Sequence, residues 1–390
     1  MVIPCYNYFY LKMVYLDNNS TTKVDPLVFE AMEPFLRGDN FGNPSSIHTA
    51  GRIVRDAIEE SRSKVSSLLN CSPSEIIFSS GGTESINSAI SSFVNTHGGN
   101  KVLISSVEHA AVDDFTTAKF DETAVVKVGV DENGQIDLDL LQNSLDENIS
   151  LVSIIYAHNE TGILSPVSEI VEICTQKGVL CHFDAVQAVG KIPINLSNLE
   201  CDLISLSAHK FHGPKGAGAL YIKDGLNWTP SQIGGGQERG RRAGTESVAN
   251  ILGLGKASEL AALSLSENSK LLLSLRNRFE AKVTQEFESA VIVGSNVERL
   301  PNTSNICFDG YEAEALIPLL DQKGVCVSHG AACSSGSWGP PKALKEMAYA
   351  DDLAKGSIRF SFSKFNSEKD IDLTIQALHE SFTLLDSINN

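Results

Sequence analysis

The stretch DLISLSAHKFHGPKGAGALYI, residues 202–222, places a cluster of titratable side chains directly after an apolar β run. His209, Lys210, His212 and Lys215 follow one another closely there. One interpretation is a strand end that reaches solvent, where histidine and lysine are ordinary surface residues. The other is a reactive lysine, because a lysine that ends a buried strand is desolvated and becomes nucleophilic near neutral pH. The segment alone leaves both open.

Residues capable of chemistry also follow the other apolar runs. They are Gly81, Gly82, Thr83 and Glu84, then His109, then Asn159 to Gly162, and then Asp184 and Gln187. Each has an ordinary structural reading: a Gly-Gly-Thr helix start is usually a cap, His109 alone could be a surface or core residue, and Asp184 could cap a helix. Ligands, however, gather at the carboxyl ends of parallel strands, and all of these residues are predicted to lie at that one edge.

This combination of groups points to a pyridoxal phosphate site. A helix that starts at Gly82 and Thr83 offers backbone N–H groups to a phosphate. Lys210 would form a Schiff base with the cofactor's aldehyde, and Asp184 would keep the pyridine nitrogen protonated so that the ring can act as an electron sink. Independent helix caps would not supply an amine, a carboxylate and a phosphate cradle at the same edge.

The elements that must position these groups follow an alternating pattern. Seven short apolar runs, mostly separated by helical or loop segments, predict strands at 75–80, 101–106, 124–130, 151–157, 179–185, 202–208 and 218–223. A helix is predicted around 45–70, with Ile47, Ala50, Val54, Ala57, Ile58, Val65, Leu68 and Leu69 near one face and Pro73 beyond its end. Such strands are typical of an α/β fold with a mostly parallel sheet covered on both faces.

Length and composition narrow the class of protein. A chain of 390 residues with 42% apolar residues predicts a globular protein with two domains, the boundary lying in the long charged helical stretch at about 252–287. The net charge of −17, from 48 acidic and 31 basic residues, argues against nucleic acid or an anionic membrane as the main partner. We therefore expect a small-molecule substrate.

The cysteines and the N-terminus predict a cytoplasmic protein. The eight cysteines form no CxxC pair, so neither a zinc site nor a disulfide framework is expected, and no metal is predicted. Cys181 and Cys307 lie in apolar runs and are predicted to be buried. The N-terminal residues 1–13 lack the charged region and cleavage site of a signal peptide, and no membrane span is predicted.

The order of the motifs resembles that of the NifS/IscS-like cysteine desulfurases, which are class V, fold type I pyridoxal phosphate enzymes. The matching segments are YLDNNSTT, NPSSIH, GGTES, EHAAV, HNETG, FDAVQAVGKIP, SLSAHKFHGPKGAGALYI, GGGQERGRRAGTESV, GAACSSG and SIRFSFSKFNSEKDID. They cover the chain from about residue 14 to 375. The resemblance implies a large cofactor-binding domain at 19–265 with a seven-stranded, mostly parallel sheet. A smaller α+β domain from 1–18 and 266–390 would carry the catalytic cysteine loop.

The resemblance also implies a role for each matching residue. Lys210 would carry the cofactor, and its phosphate would be bound by Gly82, Thr83, Ser207 and His209, with Thr245 reaching the phosphate of a partner subunit in a homodimer. His109 would stack on the ring and take part in catalysis, Asp184 would pair with its nitrogen, and Gln187 and Asn159 would contact the ring oxygen and nearby groups. Arg359, with Asn159, would bind the substrate carboxylate. Cys333 would be the nucleophile.

The implied reaction converts L-cysteine to L-alanine and leaves the sulfur on Cys333 as a persulfide for an acceptor such as an iron–sulfur scaffold protein, with which Cys333 could transiently share a cluster. Ala331-Ala332 replaces the usual Ser-Ala before the nucleophile, WGPPKAL follows where a LEP-like stretch is usual, and Gly82 replaces a common Ala. A selenocysteine lyase, another enzyme of class V, and a non-catalytic sulfur-transfer platform are the alternatives. The destination of the sulfur, whether clusters, tRNA thiolation or DNA phosphorothioation, stays open.

Overall fold

The structure is a computed structural model that describes residues 13–94, 100–330 and 339–389. Its strands are β1 Val14–Tyr15, β2 Ile76–Ser79, β3 Lys101–Ser105, β4 Val125–Val128, β5 Ile149–Ile155, β6 Leu180–Asp184, β7 Leu203–Ser207, β8 Gly218–Ile222, β9 Ala290–Ile292, β10 Thr303–Phe308, β11 Val325–Cys326 and β12 Ser357–Ser361. Its helices are α1 Pro26–Leu36, α2 Thr49–Leu69, α3 Gly82–Val94, α4 Ala110–Lys119, α5 Leu138–Ser144, α6 Val167–Lys177, α7 Val248–Glu286, α8 Ala313–Gln322, α9 Lys342–Glu346, α10 Asp351–Lys355 and α11 Glu368–Asn389.

The central sheet has seven strands in the order β2-β8-β7-β6-β5-β3-β4. The strands from β7 to β4 pair in parallel, whereas β8 pairs antiparallel with both β7 and β2. Six strands therefore run in one direction and β8 runs against them. Each of the seven apolar runs forms one of these strands, so the predicted mostly parallel α/β sheet is confirmed.

A smaller antiparallel sheet in the order β12-β10-β9 follows the long helix α7. Strand β1, from the start of the described chain, pairs in parallel with β11, and Asp17 then forms a bridge with Ser361 at the end of β12. The residues from Val14 to Asp17 therefore lie against the smaller strands. This route brings the segment after β1 to the place where the two sheets meet.

Two large hydrophobic cores divide along α7. Buried residues of α7 up to Ala261 pack with the central sheet, and those from Leu272 onward pack with β1, β10, β12 and α11. By length and composition α7 could cross a membrane, but much of its apolar window is buried in these cores, as in a core helix of a globular protein. The domain division at 19–265 and at 1–18 with 266–390 stays a prediction.

Helix α2 differs from its prediction at its N-terminal end. The side chain of His48 caps the helix by accepting a hydrogen bond from the Gly51 backbone N–H, so that the helix begins only at Thr49. Ile47 precedes the cap and is 87% exposed, and Ala50 in the first turn is also exposed. Val54, Ile58, Val65 and Leu69 are buried as predicted, and Pro73 lies beyond the end of the helix.

Six cysteines of the described residues are free thiols, and Cys181 and Cys307 are buried as predicted. Within the described ranges, no three side chains of the His, Cys, Asp and Glu types are grouped in a way that could hold a metal ion.

A buried carboxyl group links the carboxyl ends of two central strands. Oε1 of Glu108 accepts hydrogen bonds from the Ser105 hydroxyl at 2.5 Å and from the backbone N–H of Ile155 at 2.9 Å, and Oε2 has no partner. Burial raises the pKa of Glu108 to about 8, and the nearby Asp184 carboxylate contributes in the same direction. The folded protein therefore holds a proton on Glu108 that the unfolded chain releases near its ordinary pKa.

We expect Glu108→Gln to become more stabilising, relative to the parent, as the pH rises from 5 to 8.5. The raised pKa of Glu108 contributes stability that is fully present below the unfolded value of 4.5 and is lost as pH rises through about 8. Glutamine is neutral throughout and keeps the Oε1 acceptor, so it avoids this loss. Urea unfolding at the two pH values measures the difference, and a pH-independent difference between the two proteins would contradict the assignment.

Candidate active site

The lysine predicted to be reactive lies immediately after the central strand β7. Ser207 ends this strand, a short 3-10 turn covers Ala208–Lys210, and the Lys210 side chain is half-buried. Its Nζ donates to the backbone carbonyls of Asn19 at 2.7 Å and of Ser20 at 3.0 Å. Lys215, by contrast, is exposed. The fold thus selects Lys210 from the cluster of lysines and histidines.

Asp184 ends β6, the strand beside β7, at the same edge of the sheet. The carboxylate is 4% exposed, and its Oδ1 accepts a hydrogen bond from the Val186 N–H at 3.0 Å. Burial raises the pKa of Asp184, while the charges of His109 and Lys210 act in the opposite direction. A buried carboxylate of this kind is suited to a cationic partner such as a protonated ring nitrogen.

His109 and the start of α3 complete this edge. His109 caps α4 by accepting at Nδ1 from the Ala111 N–H, and its electrostatic effect on Asp184 shows that the two lie close together. Helix α3 begins at Gly82, next to the buried hydroxyl of Ser207, with Thr83 exposed beside it. Since an N-terminus of a helix and a hydroxyl both donate to anions, this corner fits a phosphate group.

Two further residues, His209 and Thr245, are predicted to bind a phosphate. His209 Nδ1 lies 3.2 Å from the Thr21 hydroxyl, and burial with the charges of neighbouring lysines lowers the pKa of His209 to about 4. The imidazole is therefore neutral at pH 7. Thr245 is exposed, and its loop is held to α3 by the ion pair of Arg242 with Glu84 at 2.7 Å.

A second group of residues meets around Asn19, which follows β1 and is 1% exposed. The Asn19 carbonyl accepts from Lys210 and from Gln187 Nε2 at 2.9 Å, and its side-chain oxygen accepts from Lys191 at 3.0 Å. Lys191 also donates to Gln187 Oε1 at 2.6 Å. This network fixes the orientation of Gln187 beside Lys210.

The residues predicted to bind the substrate carboxylate come from the other sheet and from the loop after β5. Arg359 is in β12, is 2% exposed, and donates through Nη1 to the backbone carbonyl of Asn159 at 2.9 Å. Its Nη2 donates to Asp17 Oδ1 at 2.8 Å and to Ser20 Oγ at 2.7 Å. The small sheet thus places a buried cation on the segment that also contacts Lys210.

Cys333 lies outside the described residues. The described residues before it extend to Gly330. A Cβ added to this glycine would lie 3.0 Å from Oε2 of the buried Glu160. Cys326, seven positions earlier, is half-buried, and burial raises its pKa, so it is poorly suited to act as a thiolate.

Sequence reasoning missed four residues of this site. Asp17, Asn19 and Ser20 lie in the quoted YLDNNSTT segment and Lys191 lies in FDAVQAVGKIP, but none was given a role. Only the spacing of Gln187 and Lys191, four positions apart, was a local signal that the two side chains meet. The contacts of Asp17, Asn19 and Ser20 cross more than 130 positions of the chain and had no local signal.

The donor set therefore fits pyridoxal phosphate. An amine, a buried carboxylate and the N-terminus of a helix with an adjacent hydroxyl converge at one edge of the sheet, in the positions after β7, β6 and β2. Lys210 would hold the aldehyde carbon, Asp184 the ring nitrogen, and Gly82, Thr83 and Ser207 the phosphate.

Comparisons with known proteins agree with this chemistry. The profile of the family described as Aminotransferase class-V matches residues 14–374. A cysteine desulfurase of Nostoc sp. is 44% identical over 374 residues, which is 95% of this chain and 93% of that protein.

Among solved structures, a NifS-like protein from Rickettsia africae has a TM-score of 0.86 at 36% identity and covers 95% of this chain and 99% of its own. Another NifS-like protein has a TM-score of 0.87 at 38% identity, over 95% of this chain and all of the other.

We expect Val186 to limit the size of the side chain that position 82 can hold. A Cβ added to Gly82 would lie 2.6 Å from Cγ2 of Val186, a β-branched side chain with little rotamer freedom. Gly82→Ala should therefore destabilise the protein by about 1–3 kcal/mol and weaken cofactor binding, because the start of α3 must move away from Ser207. Thermal unfolding and cofactor titration measure both effects.

Val186→Ala supplies the matched test of this contact. In the double variant, the shorter side chain at 186 should restore most of the cofactor affinity lost in Gly82→Ala, giving a clear coupling energy in the double-mutant cycle. Additive effects of the two substitutions would show that the clash does not limit the site.

Lys210→Ala should remove the visible absorbance of the lysine-bound cofactor, since no other amine occupies the position after β7. Lys215→Ala is the matched control and should keep this absorbance, because Lys215 is exposed and its neighbours differ. Absorbance spectra of the purified variants measure this band. If Lys210→Ala kept the band and Lys215→Ala lost it, the Schiff base would be formed by Lys215 and the assignment of Lys210 would be wrong.

Proposed function

The chain belongs to the class-V aminotransferase family, among its cysteine desulfurases, and we propose that it converts L-cysteine to L-alanine and keeps the sulfur on Cys333 for delivery to an acceptor protein. Enzymes of this family depend on pyridoxal phosphate. The proposal extends to the roles of the individual residues, to the acceptor and to the oligomeric state.

The observation that carries the proposal is the double contact of Ser20. Its carbonyl accepts from Lys210 Nζ at 3.0 Å, and its hydroxyl accepts from Arg359 Nη2 at 2.7 Å. A reactive amine and a buried guanidinium are therefore held on one residue. An α-amino acid carries an amine and a carboxylate on one carbon, so a site with these two groups close to one residue is suited to that class of substrate.

When bound, pyridoxal phosphate supplies an aldehyde for exchange with the substrate amine and a ring that stores the electron pair released at the substrate Cα. Arg359 binds the substrate carboxylate and so orients Cα. The Lys210 amine, once displaced, accepts the Cα proton at Nζ. Asp184 would hold the ring nitrogen through its carboxylate, and His109 would stack on the ring.

Cys333 then completes the sulfur transfer. Its thiolate attacks the sulfur of the substrate, a sulfur–sulfur bond forms, and the Cβ–sulfur bond of the substrate breaks. The electron pair of the broken bond stays on Cβ, which takes up a proton, so that the products are alanine and a persulfide on Cys333. No external oxidant is required, since the substrate sulfur is oxidised as Cβ is reduced.

We further propose that the functional unit is a cytoplasmic homodimer that donates its sulfur to a protein such as an iron–sulfur scaffold. Thr245 is exposed, as a residue that reaches the phosphate of a partner subunit must be. Large apolar side chains such as Phe41 at 82%, Ile47 at 87% and Ile233 at 87% exposure would be covered by a second subunit.

Cys333→Ala should retain the absorbance of the holoenzyme and still respond spectrally to cysteine, yet form neither alanine nor a protein persulfide. Aldehyde exchange needs Lys210 and the cofactor, whereas removal of sulfur needs a second nucleophile. Cys326→Ala is the matched control and should keep its activity. Alanine analysis and intact-protein mass spectrometry after incubation with cysteine measure both products.

Turnover of cysteine by Cys333→Ala, or a persulfide found on Cys326, would overturn the assigned nucleophile. Turnover of selenocysteine or of another amino acid by the parent, without alanine from cysteine, would instead favour another class V enzyme. A colourless parent protein would point to a non-catalytic platform.

A further inference from the structure

The hydrogen bonds of Arg359 occupy the nitrogen that either edge of its guanidinium would need to bind a second carboxylate. A guanidinium has five N–H donors, and a carboxylate that binds with both oxygens needs two donors on one edge. One such edge consists of Nη1 and Nη2, and the other consists of Nε and Nη2. Both edges therefore require an N–H of Nη2.

Nη2, which both edges share, already has two acceptors. It donates to Asp17 Oδ1 at 2.8 Å and to Ser20 Oγ at 2.7 Å, and the Ser20 hydroxyl donates in turn to the same oxygen of Asp17 at 2.8 Å. Nε, in contrast, is buried and has no partner. A substrate carboxylate that binds either edge therefore competes with Asp17 and Ser20 for Nη2.

Of these two, Asp17 is the direct competitor, because it is also an anion. Asp17 is the carboxylate that pairs with Arg359 among the described residues. Glu160 lies near enough for Arg359 to affect its pKa, but burial raises that pKa overall and its Oε2 has no hydrogen-bond partner. The Asp17 side chain is 19% exposed, so it can turn toward water when it leaves the guanidinium.

We propose that Asp17 is a specificity-determining residue that occupies Arg359 in place of the substrate carboxylate and must be displaced when an amino acid binds. The inference rests on the proposed role of Arg359. Asp17 lowers the affinity for every ligand with an α-carboxylate and returns to Nη2 when the alanine product leaves. It thereby keeps a buried guanidinium paired between turnovers, when an unpaired charge would be costly.

Asp17→Asn tests the inference, because asparagine keeps the shape and the Oδ1 acceptor but removes the competing charge. Absorbance titration of the holoenzyme with L-alanine and with ethylamine compares two amines that differ by the carboxylate. We expect the dissociation constant of alanine to fall about two- to fivefold in Asp17→Asn, a range that corresponds to a partly exposed ion pair, while that of ethylamine does not change.

Asp25→Asn is the matched control. Asp25 pairs with Lys364 at 2.6 Å and caps α1, and asparagine can keep the cap. This variant should change neither affinity, whereas a general effect of removing one carboxylate would appear in both variants. Equal absorbance spectra and melting temperatures of the holoenzymes exclude misfolding as the cause.

An unchanged or higher dissociation constant for alanine in Asp17→Asn would overturn the inference, since it would make Asp17 a support for Arg359 rather than a competitor. An equal change for ethylamine would overturn it as well. Arg359→Ala separates this failure from that of the proposed function. If alanine binds to Arg359→Ala as tightly as to the parent, Arg359 does not bind the carboxylate and the proposed substrate site is wrong.

Discussion

The site depends on the burial of Asn19 between the two sheets. Its backbone N–H donates to Ser361 Oγ at 2.9 Å in the small sheet, and its carbonyl accepts from Lys210 and Gln187 in the large one. Because the residue is 1% exposed, water does not reach its backbone N–H and carbonyl, and both depend on these protein partners. A buried polar group without a partner costs about 1–3 kcal/mol, so the network holds the two halves of the site in one arrangement.

The same network explains how several cations are tolerated close together. Lys191 is fully buried, and burial with the charges of Lys210 and Arg359 lowers its pKa. Its partners are neutral oxygens of Asn19 and Gln187, whereas Arg359 has the carboxylate of Asp17. The carboxylates Asp184 and Glu160 lie in the same region, and both have raised pKa values because of burial. Basic and acidic side chains thus lie close together with pKa shifts that favour their neutral forms, an arrangement typical of functional sites.

The structure gives a steric reason for Gly82 at a position where the family commonly has alanine. Val186 occupies the space between α3 and the end of β6 that an alanine methyl group at position 82 would fill. The departures at Ala331 and Ala332 lie outside the described residues.

The sequence by itself determined the seven strands, the edge at which they place Lys210, Asp184 and His109, and the family. These features depend on local periodicity and on the order of motifs, which a linear chain records directly. The start of α2 was misjudged because a side-chain cap, and not apolar spacing, sets the first residue of that helix. Only the tertiary structure decided how Asp17, Asn19 and Ser20 serve the site. Their partners Arg359 and Lys210 are about 340 and 190 positions away along the chain, and no local pattern records which distant donors a buried carbonyl or carboxylate will meet.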